Sequence, residues 1–371
     1  MTQGKTHREP LLRIAKRDGI ARPKAWAIRI IAVLLSLVVS GIFIFAVTKL
    51  NPFQVYEGIF DGAFGTPRRS WVTVRDAMML LCIGVGLAPA FKMRFWNIGA
   101  EGQITAGAMC ATYFALFWAD PIPQVPLLLL MCAAGAIGGG LWALVPAFFK
   151  ARWGTNETLF TLMMNYIIIG FVKYLQGGPW EKMPRGSQQI EQFASNACLP
   201  KVGGVYCGWI IVLILVFLMF WYMKYTKQGY EIAVVGESEN TARYAGINVK
   251  KVTIRTMAIS GAICGLAGFI AVAGASHTIS TSTAGGRGFT AIIVAWLAQF
   301  NTFVMILISF LLVFLQKGAI QIASQFNLND YASNIITGII LFFILGSEFF
   351  INYRICLLYT SDAADEARSV D

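Results

Sequence analysis

The chain has 371 residues and a mass of 40.7 kDa; 57% of its residues are hydrophobic and only 13% are charged. Soluble domains average about 45–50% apolar and about 25% charged, so an ordinary cytosolic enzyme is excluded, and so is disorder, which needs low hydrophobicity and high charge. The net charge of +11 sits on Lys and Arg placed between apolar runs, not clustered with aromatics on one soluble face, which points to membrane topology and away from nucleic acid.

A membrane helix needs about 20 apolar residues. The sequence predicts an all-α polytopic bundle of about ten membrane segments. Residues 1–24 form a basic tail carrying Lys5, Arg8, Arg13, Lys16, Arg17, Arg22 and Lys24. No small-residue cleavage site follows the first apolar run, so the tail reads as uncleaved and cytoplasmic. Spans are expected at about Ala25–Val47, Val74–Phe91, Ile98–Trp118, Leu127–Phe149 and Thr158–Leu175. Asn51–Thr73 reads as an external connection, and the two prolines of Asp120-Pro-Ile-Pro end a helix.

Gln176–Tyr206 is a long polar outer stretch, followed by a span at Gly208–Met223. Lys224–Arg255 is basic and therefore inside, and Val252–Ala275 returns through the membrane. Phe289–Phe300 and Phe303–Leu315 are each too short to cross and read as two partial spans. Polar Gln316–Asp330 precedes a last span, Tyr331–Gly346. This arrangement puts 18 basic residues inside against nine outside, with both termini cytoplasmic. The membrane-embedded body is 25–354. The tail 356–371, with its CLLYTSDAADE string, reads as translated read-through and not as part of the fold.

Four stretches carry polar residues worth a role. In Phe95–Gln103, Asn97, Glu101 and Gln103 start an apolar run; a carboxylate there either charges a helix start or lines a polar path. Asn156 suits a helix N-cap and Glu157 its first turn, whereas Asn165, deeper in the span, faces a neighbour or a path. Gly229–Ile247 holds a short helix that Gly246 can cap, either a docking element or a solvated loop. Ser276–Phe289 resembles a re-entrant segment, in which His277 invites a proton-relay reading without a neighbouring carboxylate. Cys198 and Cys207 share one polar loop and are the candidate disulfide pair. The sequence has no GxxxxGK[ST], no HExxH and no Cys/His cluster, so neither a P-loop, a metal nor any other cofactor is expected.

FWNIGAEGQ, GTNETLFTLMMNY, GYEIAVVGESENTARYAGI and GGRGFTAIIVAWLAQFN occur in that order. Together they resemble a bacterial ABC-importer permease of the branched-chain amino acid and simple-sugar permease superfamily. The NIGAEGQ form is similar to its nucleoside branch, and the resemblance covers roughly residues 25–354. It implies a multi-pass protein of the bacterial cell membrane, not itself an enzyme. The implied partners are cytoplasmic ATPase subunits, a second permease subunit and an extracytoplasmic substrate-binding lipoprotein. By the same resemblance Glu237, Asn240, Ala242, Arg243, Tyr244, Ala245 and Gly246 are the ATPase-coupling helix and its cap. Asn97, Glu101, Gln103, Asn156, Glu157 and Asn165 become candidates for the substrate path or its gate. A monosaccharide permease is the alternative reading. An ion-driven secondary transporter is a third, disfavoured because Glu101, Glu157 and Lys173 all lie near span ends.

Overall fold

The computed structural model describes residues 12–16, 20–49, 51–182, 186, 188–202, 204–326 and 330–357. Of the residues used in the charge reading, Lys5, Arg8, Arg17 and Arg185 lie outside that set, as does 358–371 of the expected tail.

Thirteen α-helices occur among the described residues, in this order: α1 (Arg22–Thr48), α2 (Pro52–Phe64), α3 (Pro67–Lys92), α4 (Ala100–Phe117), α5 (Gln124–Trp153), α6 (Glu157–Gln176), α7 (Gly208–Tyr225), α8 (Lys227–Glu237), α9 (Glu239–Tyr244), α10 (Val249–Ala271), α11 (Arg287–Leu297), α12 (Thr302–Gln325) and α13 (Asp330–Asn352). Four short strands accompany them: β1 (Leu12–Lys16), β2 (Lys201–Val202), β3 (Val205–Tyr206) and β4 (Tyr353–Leu357). Among the described residues, seven helices are long and apolar enough to cross a membrane: α1, α3, α5, α6, α7, α10 and α12. Local chemistry sets several starts. Thr66, Asn156 and Asn248 each accept a backbone N–H as N-caps of α3, α6 and α10, and Pro67 occupies the first turn of α3.

The chain divides into two compact units. One comprises the residues through Gly62 together with those from Gly318 onward. In it α1 packs on α13, and β1 pairs antiparallel with β4, Arg13 opposite Cys356 and Leu12 opposite Leu357. The first two residues of the expected read-through tail thus lie in a strand.

The other unit, Ala63–Lys317, is built around α10, which packs on α5, α4 and α3. Its seam is backbone on backbone. A Cβ added to Gly265 would lie 2.1 Å from the Gly135 carbonyl oxygen, and one added to Gly107 would lie 2.3 Å from Gly265 Cα. Small residues permit this approach, which gains dispersion contacts where lipid supplies no hydrophobic drive. α4, with Glu101 and Gln103 in its first turn, is buried over most of its length.

The expected connection Asn51–Thr73 is largely helical: it holds α2 and the first turns of α3, with Val55, Ile59 and Ala63 buried at helical spacing. Phe303–Leu315 is not a partial span but the body of the 24-residue α12. That helix continues through polar Gln316–Gln325 because its polar side chains find partners: Lys317 Nζ lies 2.6 Å from Asp76 Oδ2, and Gln321 donates to Asp61 at 3.5 Å. The other expected short segment is short: α11 has 11 residues.

Candidate functional site

The turn between α3 and α4 carries the first cluster. α3 closes with Arg94 N–H donating to Phe91 O and Phe95 N–H to Ala90 O, the two bonds of a Schellman cap. Arg94 occupies its left-handed position at φ 60°, where glycine is the unstrained residue. The chain then turns back. Asn97 Oδ1 accepts the Gly99 N–H at 3.0 Å and Gln103 Nε2 at 3.1 Å. Thr161 Oγ1 accepts the Ile98 N–H, while Asn165 accepts the Gly102 N–H at 2.8 Å and donates to Ile98 O at 2.9 Å. Asn97, Glu101, Gln103 and Asn165 are all buried. The first turn of α4 is therefore stitched to α6.

Glu101 reaches further. Its Oε1 accepts the Gly288 N–H at 2.8 Å, at the N-terminus of the short helix α11. A Cβ on Gly288 would stand 2.6 Å from the Glu101 backbone nitrogen, so only glycine admits this approach. A carboxylate at a helix N-terminus satisfies a free donor and complements the dipole. The structure thus gathers four of the six path candidates into one joint, with α6 on one side and α11 on the other. Asn156 and Glu157 stand apart from it: Asn156 caps α6 through Leu159 N–H, and Glu157 pairs with Lys150 at 2.8 Å.

The second cluster is α8–α9. Ser238 caps α9 by accepting the Thr241 N–H. Gly246, at φ 76°, donates to Arg243 O, and Ile247 N–H donates to Ala242 O, a second complete Schellman cap. Ala242 is fully buried in a core with Ile232, Val235, Ala90, Met93, Ala147 and Val252, and Ile247 packs against it. Glu231 adds an ion pair to Arg255 of α10 at 2.9 Å. By contrast Tyr244 is 93% exposed. Of the remaining coupling candidates, Glu237 ends α8, Asn240 is exposed, and Ala245 is the C-cap of α9. α9 is consequently a short rod fixed to the ends of α3, α5 and α10, with an aromatic ring held outward.

Beside α9 lies a cavity of about 330 Å³, lined by Arg94, Lys150, Arg152, Arg243 and Lys250 together with Glu157 and Glu239.

At the opposite end of α10 the helix widens into a single π turn, Val272–Ser276, closed by His277 in the left-handed region. His277 O accepts the Phe193 N–H; its Nε2 lies 2.9 Å from Tyr206 Oη and its Nδ1 3.3 Å from Cys198 Sγ. Burial, then the cations Lys201 and Arg75, push the His277 imidazole below its ordinary range. The expected disulfide is not formed: Cys198 and Cys207 are free thiols, and burial raises both. Cys198 faces His277, while Cys207 N–H closes the hairpin on Pro200 O.

Asp76 escaped the sequence reading although it lies inside an apolar run. It is 6% exposed and pairs with Arg75 at 3.0 Å and Lys317 at 2.6 Å. The lone carboxylate in that run was the available signal.

Residues 72–345 match the family described as branched-chain amino acid transport system / permease component. The chain belongs to this family. As such a permease it is a transport component and not an enzyme, multi-pass in the cell membrane, and membership implies ATPase and substrate-binding partners. The permease is 28% identical to a glucose ABC transporter permease protein of Haloferax volcanii, over 97% of this chain and 98% of that one. It is 29% identical to a guanosine ABC transporter permease protein of Bacillus subtilis, over 86% and 92%. With a nucleoside ABC transporter permease protein of Lactococcus lactis subsp. cremoris the identity is 28%, over 85% and 91%.

Proposed function

We propose that this permease carries nucleosides into the cell by alternating access, driven by ATPases docked on α9. The observation that carries the mechanism is the seating of α9: Ala242 and Ile247 anchor it in the core at the ends of α3, α5 and α10, and Tyr244 stands free to meet a partner. A rod fixed in this way passes a push on α9 to those three helices together.

The end bearing Lys92, Arg94, Lys150, Arg152, Lys224 and Lys227 is the cytoplasmic one by the positive-inside rule. Taking α4, α11 and α13 with the seven long helices gives ten segments, α11 being the single partial one, and both termini inside. A second permease subunit completes the path, and an extracytoplasmic lipoprotein delivers the substrate.

The joint of Asn97, Glu101, Gln103 and Asn165 serves as the gate. Irregular backbone at membrane depth must be buried or line a cavity, and here it is held by side chains of α4 and α6. A movement of α11 has to break the Glu101–Gly288 hydrogen bond, which gives the closed state a defined latch. Asn156 and Glu157 support the cytoplasmic mouth of the same path.

The guanosine and nucleoside relatives favour a nucleoside cargo. The Haloferax relative, matched over nearly the whole chain, favours a monosaccharide as the second reading. Uptake of labelled guanosine, adenosine, cytidine, glucose and ribose by proteoliposomes holding the complete transporter decides between them. ATP-dependent accumulation of nucleosides alone is expected. Accumulation of sugars alone would replace the cargo and leave the mechanism standing, and no accumulation of either would remove both readings.

A further inference from the structure

The cavity beside α9 gathers five cations and two carboxylates. Two of the cations are matched: Lys150 pairs with Glu157 at 2.8 Å, and Arg243 makes an exposed 3.5 Å pair with Glu239. Arg94, Arg152 and Lys250 form no ion pair among the described residues, yet they line the same cavity. Three unmatched positive charges around one concave space raise its potential and concentrate anions. The N-terminus of the 23-residue α10 opens on the same space through Val249, Lys250 and Thr253, and its dipole adds to the positive field.

Arg94 enters the cavity from the α3 cap, and like Arg152 and Lys250 it is solvent-exposed. It holds the left-handed position of the α3 cap at φ 60°, where glycine would sit without strain. Its side chain lines the cavity, so the strained position supplies a cation that glycine would not. Ligand pockets run from roughly 300 to 1,000 Å³. At about 330 Å³ this one admits a phosphate with part of the group that bears it.

We propose that this cavity is a binding site for a phosphate-bearing anion, held by Arg94, Arg152 and Lys250. Guanidinium groups match phosphate oxygens two at a time, and lysine adds a point charge. The phosphate has two sources at a membrane surface, an anionic lipid headgroup or a soluble phosphate compound, and the chemistry of recognition is common to both. Bound there, it bridges the ends of α3, α5 and α10 beside α9.

The test is calorimetric titration of the full chain in detergent with inorganic phosphate, short-chain phosphatidylglycerol and short-chain phosphatidylcholine. One saturable site is expected, weakened about tenfold or more in Arg152→Gln/Lys250→Gln and kept within roughly threefold in the charge-preserving Arg152→Lys/Lys250→Arg. Saturation by phosphatidylglycerol alone supports the site and makes the lipid headgroup its source. Saturation by inorganic phosphate, whether or not the lipid competes, supports it with a soluble source. No saturable binding of either anion would overturn the proposal, as would equal binding of phosphatidylcholine and phosphatidylglycerol. Unchanged binding in a monodisperse neutral double variant would do the same. If that variant does not fold, shielding of Lys250 from an amine-reactive label by phosphate, read by peptide mass in the unaltered chain, takes its place, and no shielding refutes the site. Loss of phosphate binding on adding the ATPase subunits would overturn the proposal for the assembled transporter.

Discussion

Glu101 and Gly288 are 187 residues apart in sequence, and the carboxylate of one holds the backbone N–H of the other at 2.8 Å. This single bond joins the first turn of α4 to the first turn of α11, and the absence of a side chain at residue 288 allows it. A hydrogen bond to a charged or buried partner of this kind contributes about 1–3 kcal/mol. Glu101→Ala should therefore lower stability by about that amount, because the Gly288 N–H is left buried without an acceptor. Glu101→Gln keeps an acceptor and should lose less. Thermal inactivation in detergent, compared with substrate uptake, checks the order; equal stability of both variants to the parent would show that the Glu101–Gly288 bond does not stabilise the fold.

The glycine seam makes a sharper contrast. Gly265→Ala forces a Cβ to within 2.1 Å of the Gly135 carbonyl, and overpacking of this kind costs about 1–3 kcal/mol or more. Gly170, on α6, has nothing within 4 Å of its would-be Cβ, and alanine there gains up to about 1 kcal/mol of helix propensity. The expected outcome is loss of folded Gly265→Ala from membranes and normal yield of Gly170→Ala, read by fluorescence-detected size exclusion.

Gly246 tests the seat of α9. A β-branched residue at φ 76° costs about 1–2 kcal/mol, concentrated in a cap whose Ile247 N–H and Ala242 O hold the rod in place. Gly246→Val should reduce transport per ATP hydrolysed while the membrane helices stay folded. Arg243→Ala, which removes only an exposed 3.5 Å ion pair, should leave stability unchanged, since such pairs contribute about 0–1 kcal/mol. Circular dichroism together with the uptake-to-hydrolysis ratio separates the two effects.

His277 gives a pH dependence with a definite sign. Its folded pKa lies below the ordinary value of 6.5, so below that pH the unfolded chain binds more protons than the folded one. Stability is full above about pH 6.5, falls as pH drops below it, and levels off once the folded imidazole is also protonated. The facing groups are Tyr206, Cys198, Lys201 and Arg75, none of them a carboxylate that would welcome the charge. His277→Gln should flatten this part of the profile in thermal melts from pH 7.5 to 5. A profile unchanged by the substitution would remove His277 as its origin.

Much of the bundle was legible because apolar runs of spanning length leave few alternatives, and the caps at Asn156 and Gly246 are local signals within a few residues of sequence. What stayed hidden depended on partners far along the chain. The polar end of α12 looked like a loop because nothing in the sequence announces that Lys317 meets Asp76. α2 was concealed by Glu57, Gly58 and Asp61, although its buried Val55, Ile59 and Ala63 keep helical spacing. The polar string around Asn97 drew attention for the right reason, its burial in an apolar setting, but its division between α6 and α11 needed the fold. Sharing a loop did not predict contact for Cys198 and Cys207, because the hairpin turns Cys198 toward His277.

The most direct test of the central claim is ATP hydrolysis by the complete transporter in lipid, with guanosine and its binding protein present or absent, for the parent chain and for Tyr244→Ala. Tyr244 is almost wholly exposed and makes no core contact, so its loss leaves the permease folded. The account predicts hydrolysis stimulated by guanosine in the parent and stimulation largely lost in Tyr244→Ala. Guanosine stimulation that is equal in both would contradict docking through α9, and a folded complex that neither retains nor stimulates an ATPase would contradict ATP-driven transport by this chain.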